Sequence, residues 1–279
     1  MDIQVLGGLT VRLNGVQVVP TAPKPRQVLA LLALNADRAV PTRTLTEELW
    51  GAEPPRSSRA TLQTYILQLR ELIGDALTAD ADAGPGPDGR TGKDVLVTSP
   101  GGYRLEAGGG TRDYGEFGRL SNEGYRAMDS EDYSGAARIL REALALWQGP
   151  ALADVNAGSH LEMETRRLEE ARLGALDQRI EADLCLGRYR ELLPELTVLV
   201  ERHTMHESLH SQFMLALYRS GRGGEALHVY QRLRGTLVRN LGLEPSAPVR
   251  RLQRSILKAS SDITQDALLD GRTAPEPVS

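Results

Sequence analysis

The sequence predicts an α+β domain followed by an all-α domain. In the N-terminal part, short β-prone runs alternate with three helical segments. Three consecutive glycines, residues 108–110, then interrupt the chain, and most of the remainder has the apolar spacing of amphipathic helices. We therefore expect the first domain to span residues 1–107 and the second 111–259. Residues 260–279 lose this periodicity, so we expect a disordered tail there.

The N-terminal domain begins with strands. Residues 3–8, 9–13 and 16–19 are rich in valine, leucine and isoleucine, which favour extended structure. Asn14-Gly15 separates the second run from the third, and this dipeptide tolerates the positive φ angles of a tight hairpin turn. We therefore expect three strands, the last two joined by a hairpin.

Three helical segments follow, at residues 24–35, 42–50 and 57–75. Pro41 precedes the second segment and Gly51 follows it, as is typical of helix ends. In the third, Ser57 or Ser58 can cap the first backbone amides, and Gly74 suits a C-terminal stop. One face of this third helix is predicted to pack on the core. Its residues are Leu62, Ile66, Leu69 and Ile73.

Residues 75–94 are rich in alanine, aspartate, glycine and proline, which predicts a mobile loop. Within it, residues 84–89 have the glycine spacing of a dinucleotide-binding loop. A pyrophosphate site needs a preceding strand and a following helix, and the prolines prevent this arrangement. We expect no cofactor.

A β-hairpin is predicted after the loop, at residues 95–106, because two β-prone runs flank Ser99-Pro100-Gly101-Gly102. Strands, three helices and a hairpin, in this order, indicate a winged helix-turn-helix. In such a domain the third helix is the recognition helix and the hairpin is the wing. The sequence thus suggests a DNA-binding domain.

The outer face of the third helix carries groups that can read base edges or contact phosphates, namely Arg59, Thr61, Thr64, Tyr65, Gln68 and Arg70. A solvent-exposed amphipathic helix without a ligand would have a similar pattern. The whole chain has a net charge of −4 and a pI of about 5.8. Residues 24–70, however, contain seven basic and four acidic residues, and this local surplus suits contact with phosphates.

Several short motifs in this order resemble the OmpR-type winged helix and, more closely, the Streptomyces antibiotic regulatory protein family of activators. They are Lys24-Pro25-Arg26-Gln27, Leu49-Trp50-Gly51, residues 60–66 (ATLQTYI) with Leu69-Arg70, and Gly102-Tyr103. The resemblance covers nearly the whole chain. It implies that Thr61, Thr64, Tyr65 and Gln68 face base edges and that Arg59, Arg70, Arg26, Thr42 and Arg43 hold phosphates.

The wing departs from the OmpR-type pattern. Many such wings insert an arginine into the minor groove near their tip, whereas this tip has Thr98, Ser99 and Pro100. Only Arg104 lies nearby, and it is the wing's remaining candidate for a DNA contact.

The second domain is predicted to be a tetratricopeptide-like array, because short turns separate helices in which small and large residues alternate. The predicted helices are residues 113–128, 133–147, 160–186, 189–202, 207–220, 224–241 and 247–257. Residues 215–245 resemble a bacterial transcriptional activator domain. The resemblance implies dimer contacts, or contacts with RNA polymerase and its sigma factor.

Residues 206–210 (HESLH) have the spacing of a zinc-protease motif, with both histidines on one helical face. No third ligand follows, since Phe213 and Ala216 occupy the positions that a longer motif would need. The family resemblance implies an arginine at position 206, so the pattern looks like a single substitution in a structural repeat. Cys185, the only cysteine, lies between two leucines and is expected to be a buried thiol. We expect no metal site and no enzyme.

These observations lead to the hypothesis of a transcriptional activator that binds double-stranded DNA at promoter direct repeats, as a homodimer or in tandem. By resemblance, its targets are secondary-metabolite genes. No leader segment or transmembrane-length apolar run is evident, so we expect the protein in the cytoplasm, at the nucleoid. Two alternatives are a tetratricopeptide-type interaction scaffold that does not bind DNA and a zinc hydrolase.

Overall fold

The computed structural model describes residues 1–79 and 90–270, with side chains as far as residue 258. Its contacts divide the chain into two compact units. The first contains Met1–Gly124 and Ile139–Ala175, and the second contains Tyr125–Arg138 and the described residues from Leu176 onward.

The first unit begins with a three-stranded antiparallel sheet of β1 (Asp2–Gln4), β2 (Thr10–Leu13) and β3 (Val16–Gln17). Ile3 pairs with Val11, and Leu13 pairs with Val16 across the turn. Asn14 and Gly15 have φ angles of 51° and 80°, as a tight hairpin turn requires. The three predicted strands and the hairpin turn are present, but the first strand ends at Gln4 and does not extend to residue 8 as predicted.

Three helices follow, α1 (Pro23–Leu34), α2 (Thr42–Trp50) and α3 (Ser58–Thr78), and the last two form the helix-turn-helix. The apolar face of α3 is buried as predicted, because Leu62, Ile66, Leu69 and Ile73 are at most 2% exposed. Their burial against α1, α2 and the wing strands fixes the orientation of the opposite face of α3.

The wing is a hairpin of β5 (Leu96–Ser99) and β6 (Gly102–Leu105), which confirms the predicted strand pair. A two-residue strand that was not predicted, β4 (Val40–Pro41), pairs with the outer edge of β6. A Cβ atom on Gly102 would overlap the carbonyl oxygen of Val40, so glycine is required where the wing meets β4.

The predicted loop at 75–94 is wrong at both ends. Helix α3 continues through Gly74 to Thr78, because Ala76 extends its buried face and one interior glycine costs only about 1 kcal/mol. A short helix, α4 (Gly92–Val95), follows the N-cap residue Thr91, whose side chain forms a capping box with that of Asp94. The glycine-rich segment 84–89 and the remaining part of the predicted loop lie outside the described residues.

All of the helices predicted after residue 110 are present. They are α5 (Asp113–Asp129), α6 (Tyr133–Ala145), α7 (Ser159–Cys185), α8 (Tyr189–Arg202), α9 (Glu207–Arg219), α10 (Gly223–Leu241) and α11 (Ala247–Asp270). In the second unit, consecutive helices from α8 to α11 pack against each other. Helix α11 continues past Ser260, where a disordered tail was expected, and residues 271–279 lie outside the described residues. The prediction of a buried thiol at Cys185 is wrong. This residue is exposed because it is the last residue of α7.

The compact units do not follow the predicted boundary at residues 107–111. Backbone groups of residues 5–9 form hydrogen bonds with segments far along the chain. The Asp113 carboxylate accepts from the amides of Val5 and Leu6, and Asp154 Oδ1 accepts from the Leu9 amide at 2.7 Å. The Gln148 amide also donates to the Leu6 carbonyl oxygen at 2.8 Å. The first unit is therefore larger than a winged helix alone.

Candidate nucleic-acid interface

The outer face of α3 is an exposed stripe on the side of the helix opposite its buried leucines and isoleucines. With 3.6 residues per turn, this stripe is formed by Ala60, Gln63, Thr64, Leu67, Gln68 and Glu71, all of which are exposed. We call these six residues the outer stripe. An exposed helical stripe rich in hydrogen-bonding side chains has the dimensions and chemistry to enter a major groove.

The structure divides the four predicted base-facing residues into two pairs. Thr64 and Gln68 lie in the outer stripe, whereas Thr61 and Tyr65 lie on its flank and are partly buried. The hydroxyl of Thr64 donates to the Ala60 carbonyl oxygen at 3.2 Å, and that of Thr61 donates to the Ser57 carbonyl oxygen at 3.1 Å. Because the hydrogen of each hydroxyl is used within the helix, each oxygen is set to accept a hydrogen bond.

Sequence reasoning missed Gln63 and Leu67, although both belong to the outer stripe. The signal was present, because the same periodicity that places Leu62 and Ile66 inside places residues 63 and 67 outside. Gln63 is an amide that can both donate to and accept from a base edge, like Gln68.

A cleft of about 190 Å³ lies where the N-terminus of α2, the first half of α3 and the tip of the wing meet. It brings together two predicted phosphate contacts, Thr42 and Arg59, with Gln63 of the outer stripe. The wing approaches the start of α2 directly, since the Thr42 amide donates to the Gly101 carbonyl oxygen at 2.8 Å. The other lining residues are Leu62, Thr98, Ser99, Gly101, Gly102 and Tyr103.

Arg70 connects α3 to the wing. Its guanidinium donates from Nε and Nη2 to the Leu96 carbonyl oxygen at 2.9 and 2.8 Å, and from Nη2 to the Thr98 hydroxyl at 2.8 Å. A guanidinium used in this way fixes the position of β5 relative to the recognition helix. Arg70 was predicted to contact phosphate, but its guanidinium already has hydrogen-bond partners within the protein.

Three other predicted DNA contacts have carboxylate partners. Arg26 Nη1 lies 3.1 Å from Asp154 Oδ2, and Arg104 Nε lies 2.6 Å from Glu106 Oε1. Arg43 pairs with Glu47 at 2.7 Å but is 88% exposed, and this hydrogen bond lowers the pKa of Glu47. Arg59 is exposed, and the described part of the chain shows no side-chain hydrogen bond for it. Arg59 and Arg43 are thus the most accessible of the predicted phosphate-binding arginines.

The opposite side of the helix-turn-helix contains a buried polar cluster that the sequence did not reveal. Glu48, on the inner face of α2, is 3% exposed, and its Oε1 accepts from Gln27 Nε2 at 2.8 Å. The same carboxylate accepts from the backbone amides of Gly158 at 2.5 Å, His160 at 2.9 Å and Leu161 at 3.1 Å. Glu48 therefore caps the N-terminus of α7 from another helix.

This cluster gives a structural reason for two of the sequence motifs. In the motif at residues 24–27, Gln27 Nε2 donates to the Glu48 carbonyl oxygen at 2.8 Å, and Lys24 Nζ donates to the Leu49 carbonyl oxygen at 2.5 Å. Both side chains satisfy carbonyl groups at the C-terminal end of α2, next to the motif at 49–51. These residues hold α1 and α2 together.

Comparison with known proteins agrees with this geometry. The model of the bacterial transcriptional activator domain matches residues 112–257, and that of the C-terminal domain of transcriptional regulatory proteins matches residues 16–82. The regulatory protein DnrI of Streptomyces peucetius is 50% identical over 95% of each chain. This chain belongs to the Streptomyces antibiotic regulatory protein family.

Two mycobacterial proteins are similar at lower identity. The transcriptional regulatory protein MoaR1 of Mycobacterium tuberculosis is 35% identical over 92% of this chain and 79% of its own. The solved structure of Mycobacterium tuberculosis EmbR in complex with a low-affinity phosphopeptide superposes with a TM-score of 0.80 at 32% identity. It covers 98% of this chain, which covers 72% of EmbR.

Membership in the family confirms the predicted fold class, a winged helix-turn-helix followed by an all-helical domain. The family consists of transcriptional regulators and not enzymes, so this chain is a transcriptional activator. Within residues 1–79 and 90–270, no helix combines the length and apolar character needed to cross a membrane.

The zinc-protease-like pattern at 206–210 has a structural role in this fold. His206 is the N-cap of α9, and its Nδ1 accepts from the Leu209 amide at 3.3 Å. His210 is buried, and its Nδ1 lies 3.0 Å from the His206 carbonyl oxygen. Burial lowers the pKa of His210, which favours the neutral ring. The described residues contain no group of three His, Cys, Asp or Glu side chains placed to hold a metal ion.

Proposed function

We propose that this transcriptional activator binds double-stranded DNA in a sequence-specific manner, with the outer stripe of α3 in the major groove. The observation that carries this proposal is the exposure of Thr64 and Gln68 on a helix whose opposite face is packed into the core. Their hydroxyl and amide groups can form the hydrogen bonds that distinguish base pairs. Thr61 and Tyr65 would contact the edge of the same groove.

Phosphate contacts would come from the cleft between α2, α3 and the wing. Arg59 and Thr42 line this cleft, which lies beside the first turn of α2. Arg43 would reach a neighbouring phosphate, because its pair with Glu47 is highly exposed and contributes little stability. Arg26, Arg70 and Arg104 would contribute mainly by holding the surrounding elements in place.

With few phosphate contacts, a single winged helix should bind weakly, because each neutralised phosphate adds to the affinity. We therefore propose that two copies bind direct repeats, as a homodimer or in tandem, with the repeats about one helical turn apart. The helical domain would contact RNA polymerase and its sigma factor. Membership in the family suggests that the targets would be secondary-metabolite genes. The protein would bind them at the nucleoid, in the cytoplasm.

The test is footprinting of genomic DNA by the full chain across a salt series, with Gln68→Ala and a matched control, Gln17→Ala. Gln17 is an exposed glutamine on β3, away from the outer stripe. Gln68→Ala should lower discrimination between the parent repeat and base-substituted repeats by about 1–3 kcal/mol, and Gln17→Ala should leave it unchanged.

Two further results would decide the proposal. Insertion of half a helical turn between the repeats should abolish joint binding, because the two recognition helices would then face opposite sides of the duplex. Failure of the parent protein to protect any duplex, even at low salt, would instead favour a protein-interaction scaffold that does not bind DNA.

A further inference from the structure

A large apolar side chain lies in the middle of the outer stripe. Leu67 is 53% exposed, whereas Leu62 and Leu69 of the same helix are at most 1% exposed. Thr64 and Gln68 adjoin it, so the leucine interrupts a polar surface. Leu67 is thus only partly packed, and its position in the proposed interface leaves its exposed apolar surface available for contact with a ligand.

Ala60 is a second exposed apolar residue in the same stripe. It precedes Leu67 by seven residues, or about 10 Å along the helix axis at 1.5 Å per residue. This separation is close to three base-pair steps of about 3.4 Å. The two apolar side chains can therefore meet the edges of different base pairs, while polar side chains between them contact the two intervening base pairs.

Acidic residues mark the end of this surface. Glu71 and Asp75 are exposed one and two turns beyond Leu67, where carboxylates would oppose DNA phosphates. Recognition helices contact base edges with their N-terminal part. Leu67 is therefore near the last position of α3 that can lie deep in the groove.

We propose that Leu67 contacts the C5-methyl group of a thymine in each repeat, with Ala60 contacting a second thymine. This inference rests on the proposed function. It follows from the chemistry of the major groove, where the thymine methyl is the apolar group that base edges present to side chains. Leu67 is then a specificity-determining residue that recognises an apolar group, beside the polar contacts of Thr64 and Gln68.

The experiment replaces each thymine of the footprinted repeat in turn with deoxyuridine, which lacks only the methyl group. Affinity of the full chain is measured by fluorescence anisotropy for the parent, for Leu67→Ala and for a control, Val16→Ala, which shortens an exposed apolar residue on β3. The parent should lose about fourfold in affinity at the contacted thymine, the contribution of one buried methyl group. Val16→Ala should show the same loss.

Leu67→Ala should bind the thymine duplex more weakly and show no difference between thymine and uracil at that position. Because Leu67 is exposed, the thermal unfolding midpoint of the variant should match that of the parent, which separates a lost contact from misfolding. If Leu67→Ala keeps the parent's thymine-to-uracil ratio at every position, the inference is overturned while the proposed function stands. A parent protein that binds no repeat would overturn both.

Discussion

The two helices of the helix-turn-helix use their polar residues in opposite ways. On α2, Glu48 is almost completely buried, and its carboxylate accepts hydrogen bonds from Gln27 and from three backbone amides at the start of α7. On α3, the outer stripe exposes Gln63, Thr64 and Gln68 to solvent. The first cluster is satisfied within the protein and stabilises the fold. The second is available to a ligand.

The difference also separates stability from recognition. A buried acceptor with several donors is costly to remove, because each donor is left in a place that water cannot reach. When an exposed side chain is truncated, water takes its place, and the free energy of unfolding changes little. Changes near Glu48 should therefore affect the stability of the first compact unit, and changes in the outer stripe should affect only DNA binding.

The largest expected effect comes from Glu48→Ala. The change removes one of the two acceptors of Gln27 Nε2 and leaves the first amides of α7 without theirs, so the free energy of unfolding should fall by about 3 kcal/mol or more. Urea denaturation measures this loss, and hydrogen exchange of the His160 and Leu161 amides locates it. Glu47→Gln is the matched control.

Glu47 lies on the same helix but pairs with Arg43 on the surface, so its replacement should cost less than about 1 kcal/mol. Equal losses for the two variants would show that the buried network contributes no more than a surface ion pair. The comparison between the two helices would then fail.

Sequence periodicity predicted the elements of this fold but not the polar clusters that join them. The buried face of α3 and the Asn14-Gly15 turn depend on neighbours within a few residues, so their patterns are legible in the sequence. The contact of Glu48 with Leu161 joins positions 113 residues apart. No local pattern indicates that an acidic residue on the inner face of α2 will cap a distant helix.

The arginines of the candidate site show the same limit. Arg70 was predicted from its residue type to contact phosphate, but its guanidinium meets Leu96 and Thr98 of the wing. Strand β4 was missed because only its pairing with β6 defines it. Helix α4 was missed although its capping box joins residues only three apart. By contrast, exposure of Gln63 and Leu67 follows from the period of the helix and was predictable.

Arg70→Ala is expected to have the second largest effect. Loss of its bonds to Leu96 and Thr98 should lower the local stability of the wing by about 2 kcal/mol, since hydrogen bonds from a charged group are among the stronger ones. The amides of β5 and β6 should then exchange faster. Affinity should fall to the same extent for all DNA sequences, because the wing positions the domain without reading bases.

Arg43→Ala is the control for this variant, since its side chain is exposed and distant in sequence from β5. It should lower DNA affinity modestly and leave wing exchange unchanged. If Arg70→Ala weakens binding without any change in wing exchange, Arg70 acts on the phosphate directly and its contacts with β5 are incidental.

The smallest expected effect concerns His210, a buried side chain with a hydrogen-bond partner in the second compact unit. His210 is 5% exposed, and its Nδ1 lies 3.0 Å from the His206 carbonyl oxygen, which accepts a hydrogen bond from it. Burial lowers its pKa below the ordinary value of 6.5. As pH falls below 6.5 the unfolded chain binds a proton before the folded chain does, so stability present above this pH is lost as pH falls.

Urea denaturation, with hydrogen exchange measured at the amides of α9 and α10, should therefore show lower stability at a pH below 6 than at pH 7. His210→Gln should remove this difference. His228→Gln replaces an exposed imidazole on α10 and should retain the loss. The outer stripe contains no histidine, so this change of pH should alter the stability of the helical unit without altering base discrimination by α3. A change in discrimination over the same pH range would show that the two properties are not separable, contrary to the division between buried and exposed polar groups.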